Sequence, residues 1–277
     1  MKTIFRLSML VLFLSIPKGV FSQDTTKQAS QDFQPVYVTM TTAHWSEDPD
    51  IDFKDWLATE KEYFQKVTSK NELILNSGFY THYFTPDNSE VIMVSVYKDW
   101  GDIEKAEKKN QELLKAAWPD EAKRKEFLDK QSAYYSADHK DEIYQTMNYS
   151  IQPPKNTGTT PRIFYVRSSN LAMDGQGTPE KFREYFEKIT KNAKSLKGYY
   201  THRHLWGSNS REMNEVFVFD KLADIEAFFD EEQKLVESTW TSEEEREKFM
   251  DEMGKSFTGN HGDYIYRSVP ELLKSNQ

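Results

Sequence analysis

Two short segments, each present twice, carry the side chains with the clearest chemical potential. His139, Asp141, Ile143 and Tyr144 form the pattern His-x-Asp-x-Ile-Tyr, and His261, Asp263, Ile265 and Tyr266 repeat it. An Asp accepting from a His fixes the imidazole tautomer and raises its basicity, which makes a poised proton acceptor. The same residues serve a structural end if the Asp caps a turn through side-chain to backbone bonds. The second segment is Tyr80-Thr81-His82, repeated as Tyr200-Thr201-His202. Strand alternation puts Tyr80 and His82 on one face, and Tyr200 and His202 likewise. A phenol beside an imidazole could bind and polarise an aromatic or carbonyl ligand. It could equally cover a core with its polar tip satisfied.

The candidate catalytic residues are thus His82, His139, Asp141, His202, His261 and Asp263. The candidate ligand-binding residues are Tyr80, His82, Trp118, Tyr144, Tyr200, His202, Trp240 and Tyr266. Trp118 and Trp240 stand at helix breaks, where anchoring to the core competes with pocket lining. A two-His, one-carboxylate metal site would need His82 beside His261 and Asp263, or His202 beside His139 and Asp141. The spacings match no local metal signature, so no metal is expected. His204 has no partner in this scheme, since Phe84 takes the corresponding place. With no Cys in the chain, thiol catalysis and thiolate ligation are excluded, and the cores must hold by packing alone. Gly-rich phosphate loops and Ser nucleophile elbows are absent from the sequence.

The repetition extends well beyond these segments. Glu62 to Thr68 recurs as Glu184 to Thr190, Asp102-Ile103-Glu104 as Asp224-Ile225-Glu226, Trp118 as Trp240 and Phe127 as Phe249, all 122 residues apart. Gly78-Phe79-Tyr80-Thr81-His82 recurs as Gly198-Tyr199-Tyr200-Thr201-His202 at 120. So many ordered matches mark a tandem duplication. The expected divisions are a signal peptide over 1–22, a disordered segment over 23–34, a module over 35–149, a linker over 150–161, a second module over 162–269 and a tail over 270–277.

Each copy reads β-α-β-β-α-β. Val36 to Thr42 is β-rich, and Phe53, Trp56, Leu57, Phe64 and Val67 share a helical stripe. Phe79 to Phe84 and Val91 to Tyr97 are strands around Pro86-Asp87-Asn88. Asp102 caps the next helix, Pro119 opens a further helical piece, and Ile143 to Met147 is the last strand. In the second copy Thr178 and then Thr241 or Ser242 are helix caps. The element order is that of the ferredoxin-like split unit, whose bare sheet face needs a cover. Two fused copies supply it to one another.

On element order, module length and duplication across residues 35 to 268, the chain resembles the dimeric α+β barrel superfamily. That superfamily includes antibiotic-biosynthesis monooxygenase-like, stress-responsive A/B-barrel and NIPSNAP-like proteins. The resemblance implies an α+β fold with two sheets packed face to face and a pocket between each sheet and its helices. It also implies two activities to weigh, ligand binding and cofactor-independent oxygenation of an electron-rich aromatic substrate. Haem, which some members of the fold bind, would fall to one of the paired histidines; no motif calls for a cofactor.

The remaining expectations come from charge and the first residues. Lys2 and Arg6, the apolar run Leu7 to Ile16, and Val20-Phe21-Ser22 read as an export signal cleaved near Ser22, which places the chain in the periplasm or outside the cell. The formal charge of −9 repels phosphate backbones, so nucleic acid is not an expected partner. No run is long enough to span a bilayer comfortably. The expected partner is a small apolar or aromatic molecule, held by a monomeric pseudo-dimer or a homodimer; a purely structural assembly role is the third reading.

Overall fold

β-rich runs that end in polar turns, set between amphipathic stretches, produce a long antiparallel sheet with helices on its outside. The computed structural model describes residues 33–48, 52–154, 159–173 and 177–275. The expected signal peptide, nearly all of the segment after it and the middle of the expected linker lie outside these residues. The first half runs β1 (Tyr37–Trp45), α1 (Phe53–Lys66), β2 (Ile74–Phe84), β3 (Glu90–Tyr97), α2 (Trp100–Ala117), α3 (Glu121–Ala133) and β4 (Tyr135–Thr146). The second repeats the order as β5 (Ile163–Leu171), α4 (Pro179–Lys188), β6 (Gly198–Trp206), β7 (Glu212–Phe219), α5 (Ala223–Thr239), α6 (Glu243–Gly254) and β8 (Phe257–Ser268). A two-residue strand, β9 (Lys274–Ser275), follows.

Local signals account for the helix starts. Asp52 accepts from the Lys54 backbone N–H at 2.8 Å to cap α1, and Ser242 accepts from Glu245 at 3.2 Å to cap α6. The cap of α2 is Asp99 rather than Asp102, which falls in the first turn. Its carboxylate there suits the helix dipole and pairs with Lys105 at 2.8 Å. Asp120 caps α3, accepting from Lys123 at 3.0 Å, so Pro119 precedes the cap instead of opening the helix. β4 starts eight residues before the expected Ile143, because Thr41, Thr42 and Ala43 of β1 pair with Asp141, Lys140 and His139. The His-x-Asp segment is therefore strand, not turn.

Within each half the strands take the split order β4-β1-β3-β2 and β8-β5-β7-β6. The two sheets do not remain separate layers. β4 pairs with β6, β2 pairs with β8, and β2 also pairs with β3, so eight antiparallel strands form a closed ring. Each half alone would leave two strand edges with unpaired N–H and C=O groups, and joining the edges removes both. The ladders fix how the halves correspond. His82 lies opposite Tyr266 and Phe84 opposite Ile265, while His204 lies opposite Tyr144 and Trp206 opposite Ile143. Both contacts carry the same bulge, and every position is matched at a spacing of 122. His82 thus corresponds to His204, and Tyr80 to His202. The Gly-aromatic-Tyr-Thr-His match at 120 is two residues out of register with the fold, a slip that keeps each side chain on its face.

Beyond β8 the chain returns to the first half. Leu272 is wholly buried with Trp56, Val91, Tyr134 and Val269, and β9 pairs with Asn76 and Ser77 of β2. The Lys274 ammonium donates to the carbonyls of Asn71 at 2.6 Å and Thr68 at 3.3 Å. Residues 270–275 are consequently part of the first core, not a loose tail. Replacing Leu272 with Ala should cost about 2–5 kcal/mol of stability, since it opens a cavity against Trp56; a urea melt of the full chain measures it.

Candidate functional site

On the first half, α1, α2 and α3 stand off the outer face of β2 and β3 and leave a hollow of about 630 Å³. Its apolar wall includes Phe64, Ile74, Phe79, Met93, Tyr97 and Leu128; its polar groups include Glu60, Tyr63, Ser77, Ser95, Asn110 and Gln131. An apolar cleft of this size with a few polar groups is the usual form of a small-molecule site. The second half shows why the space is open. At 122 residues from Ser77 and Ser95 stand Tyr199 and Phe217, whose rings lie 4.9 Å apart in a core with Phe186, Phe219 and Phe228. Two serines in place of two aromatic rings leave volume that no other described residue of the first half fills.

Glu60 dominates the electrostatics of the hollow. It lies four residues after Trp56 on the buried stripe of α1, only 3% exposed. One carboxyl oxygen accepts from the Tyr135 hydroxyl at 2.8 Å, and the other from the Gln131 amide at 2.9 Å. The Trp56 indole N–H donates to the Tyr135 oxygen at 2.7 Å, which aims the phenol at Glu60. Burial raises the Glu60 pKa above the ordinary 4.5, against the lowering effect of those two hydrogen bonds. The Ser77 hydroxyl is buried with no hydrogen-bond partner, an unmet polar group on the wall of the hollow.

None of the residues singled out from sequence lines this hollow. Tyr80, His82, Tyr144, Tyr200, His202 and Tyr266 lie on the opposite face of the strands, toward the inside of the ring. They form two corresponding clusters there. In one, the Tyr144 hydroxyl sits 2.6 Å from Glu142 and 2.5 Å from Glu212, with Ser168 donating to Glu212 at 2.8 Å and the His204 ring 5.3 Å from Tyr144. In the other, Tyr266 donates to Glu90 at 3.2 Å, and His82 pairs with Thr85 at 2.7 Å. His202 stacks on Tyr200 with its Nδ1 buried and unpartnered, and burial pushes its pKa down to about 4. That imidazole is neutral at ordinary pH and a weaker base than a free one. Burial pushes the Tyr200 phenol up to about 12.

The His-x-Asp pairs do meet, His139 with Asp141 at 3.1 Å and His261 with Asp263 at 2.9 Å, both on exposed stretches in the middle of their strands. Asp263 also accepts from Tyr165 at 2.6 Å and lies 3.7 Å from Arg167. His82 and His261 share the β2–β8 pairing, yet His261 is five residues along the strand from the position opposite His82. Among the described residues no group of three or more His, Asp or Glu could hold a metal ion. Trp118 stacks on Phe127 at 4.1 Å and Trp240 on Phe249 at 4.0 Å, tying each helix break to the following helix. Among the described residues no histidine lines the hollow, so they offer no imidazole there to a haem iron.

Glu60 was accessible to sequence reading through one signal, a carboxylate on an otherwise apolar stripe. Ser77 and Ser95 were accessible only with the halves aligned at 122 throughout.

No protein-family description matches the chain, and neither does any curated protein. Among solved structures, a candidate monooxygenase from Fusobacterium nucleatum superposes with a TM-score of 0.57 at 8% identity, over 88% of this chain and 96% of that one. A candidate monooxygenase from Lactobacillus acidophilus gives 0.53 at 8% identity, over 88% and 97%. An anthrone oxidase-like protein gives 0.50 at 11%, over 86% and 92%. With the closed antiparallel ring and its outer helices, these likenesses make the fold a dimeric α+β barrel contained in one chain.

A carboxyl with a raised folded-state pKa binds its proton more readily folded than unfolded, so its contribution to stability declines as pH rises above about 4.5. Glu60→Gln removes that dependence. Thermal melts of the two proteins should therefore shift in favour of the Gln variant between pH 4.5 and neutrality.

Proposed function

We propose that this chain is an exported binding protein for a small apolar or aromatic molecule, and that the ligand occupies the first-half hollow. The observation that carries the reading is the replacement of ring-filled volume by Ser77 and Ser95 beside a buried carboxyl. A packed core leaves no such volume without a cost, and the second half, with Tyr199 and Phe217, leaves none at these positions. The leader-like residues 1–22 support export, and the closed ring supports a monomeric pseudo-dimer descended from a tandem duplication, with modules over 35–149 and 162–269. No helix among the described residues is long and apolar enough to cross a membrane.

A second reading, oxygenation of an electron-rich phenol, is favoured by Glu60. A buried carboxylate beside a ligand hydroxyl can accept its proton, the first step that such chemistry needs. The names of the superposed structures support this reading only through shared fold. Oxygen uptake with phenol or quinol substrates, lost in Glu60→Gln, separates the enzyme from a pure binder.

The binding reading is tested with an environment-sensitive aromatic dye. Ser95→Phe should weaken dye binding by about ten-fold or more with an unchanged circular dichroism spectrum, while Tyr80→Phe, inside the ring, should leave it unaltered. Equal binding by Ser95→Phe and the unaltered chain would remove the hollow as the site.

A further inference from the structure

We infer that the first-half hollow takes a monocationic amine on an apolar or aromatic body, with its ammonium set against Glu60; this rests on the hollow being the binding site. Among the described residues the Glu60 carboxyl has no cationic partner. Glu60 is almost fully buried, and both of its partners, Tyr135 and Gln131, are neutral. Buried carboxylates are ordinarily matched by a cation. Among the described residues no Lys, Arg or His lines the hollow, and the one other ionisable carboxyl on its wall, Asp129, is already paired with Lys125. Lys274, at the neighbouring edge, is held by backbone carbonyls.

The same composition sorts ligands by charge. A carboxylate or phosphate would meet Glu60 with nothing to neutralise it, so anions are disfavoured. A neutral alcohol can donate one hydrogen bond. An ammonium can donate more than one hydrogen bond at Glu60, and it supplies a positive charge that the lining lacks. The rings of Tyr63, Phe79, Tyr97 and Tyr135 add π faces that attract a cation and pack against an apolar body.

The test is displacement of the aromatic dye from the full chain by 2-phenylethylamine, 2-phenylethanol and phenylacetate, near neutral pH and about 0.3 M salt, which screens the acidic surface. The amine should compete about ten-fold more tightly than the alcohol, and the acid should compete least. Glu60→Gln should abolish the amine's advantage and leave the alcohol's affinity nearly unchanged, whereas Glu60→Asp should retain part of it. An alcohol that matches or exceeds the amine, or an amine preference that survives in Glu60→Gln, overturns the inference. Should Glu60→Gln fail to fold, the three-ligand ranking on the unaltered chain decides by itself. If the dye binds and none of the three displaces it, the amine inference fails while the binding reading stands; if Ser95→Phe leaves dye binding intact, the reading beneath it fails.

Discussion

The fold depends on the pairing of strand edges between halves. A split β-α-β-β-α-β sheet has two open edges, and a buried or half-buried edge cannot leave its amides and carbonyls without partners. β2–β8 and β4–β6 resolve this by joining the first half to the second, and the bulges in the two contacts fall at corresponding residues. With the ring closed, one face of every strand points to a shared interior and the other to the helices. The division decides which residues can meet a ligand from outside.

That division explains what sequence reading could and could not see. Element order, the helical stripes and the two-strand hairpins were legible, because they rest on local periodicity and turn chemistry that tertiary contacts here reinforce. The α+β barrel within one chain was expected from the resemblance; which way each candidate residue faces was not, since alternation within a strand says which residues share a face but not what covers it. Tyr80 and His82 were correctly placed together, yet their face turns inward. The Gly-aromatic-Tyr-Thr-His match at 120 also concealed the correspondence of His82 with His204, because a shift of two preserves both side-chain direction and residue type. The residues of the hollow were hidden for a different reason: they are defined by how the halves differ, and a search for identity passes over Ser77 against Tyr199.

The halves have met the same geometric problem with different chemistry. Between the second sheet and its helices, Arg167 lies among Tyr165, Asp263 and Glu215, and Tyr199 donates to Glu215 at 2.5 Å. Burial raises the Glu215 pKa while the Arg167 charge opposes it. There the acid has its cation inside the chain. In the first half Glu60 has only neutral partners, and the position 122 residues on is Phe182, a ring packed against Tyr149 at 5.0 Å. One half sets its buried acid beside a cation of its own, and the other leaves a hollow beside a buried acid whose hydrogen-bond partners are neutral.

The return of residues 270–275 to the first half has a temporal meaning. Ser77, on the wall of the hollow, pairs through its backbone with Lys274, nearly two hundred positions later. On a ribosome, the first half emerges long before this last strand and must wait with β2 uncovered along that edge. The wall that carries Ser77 is complete only once residues 274 and 275 have paired with β2.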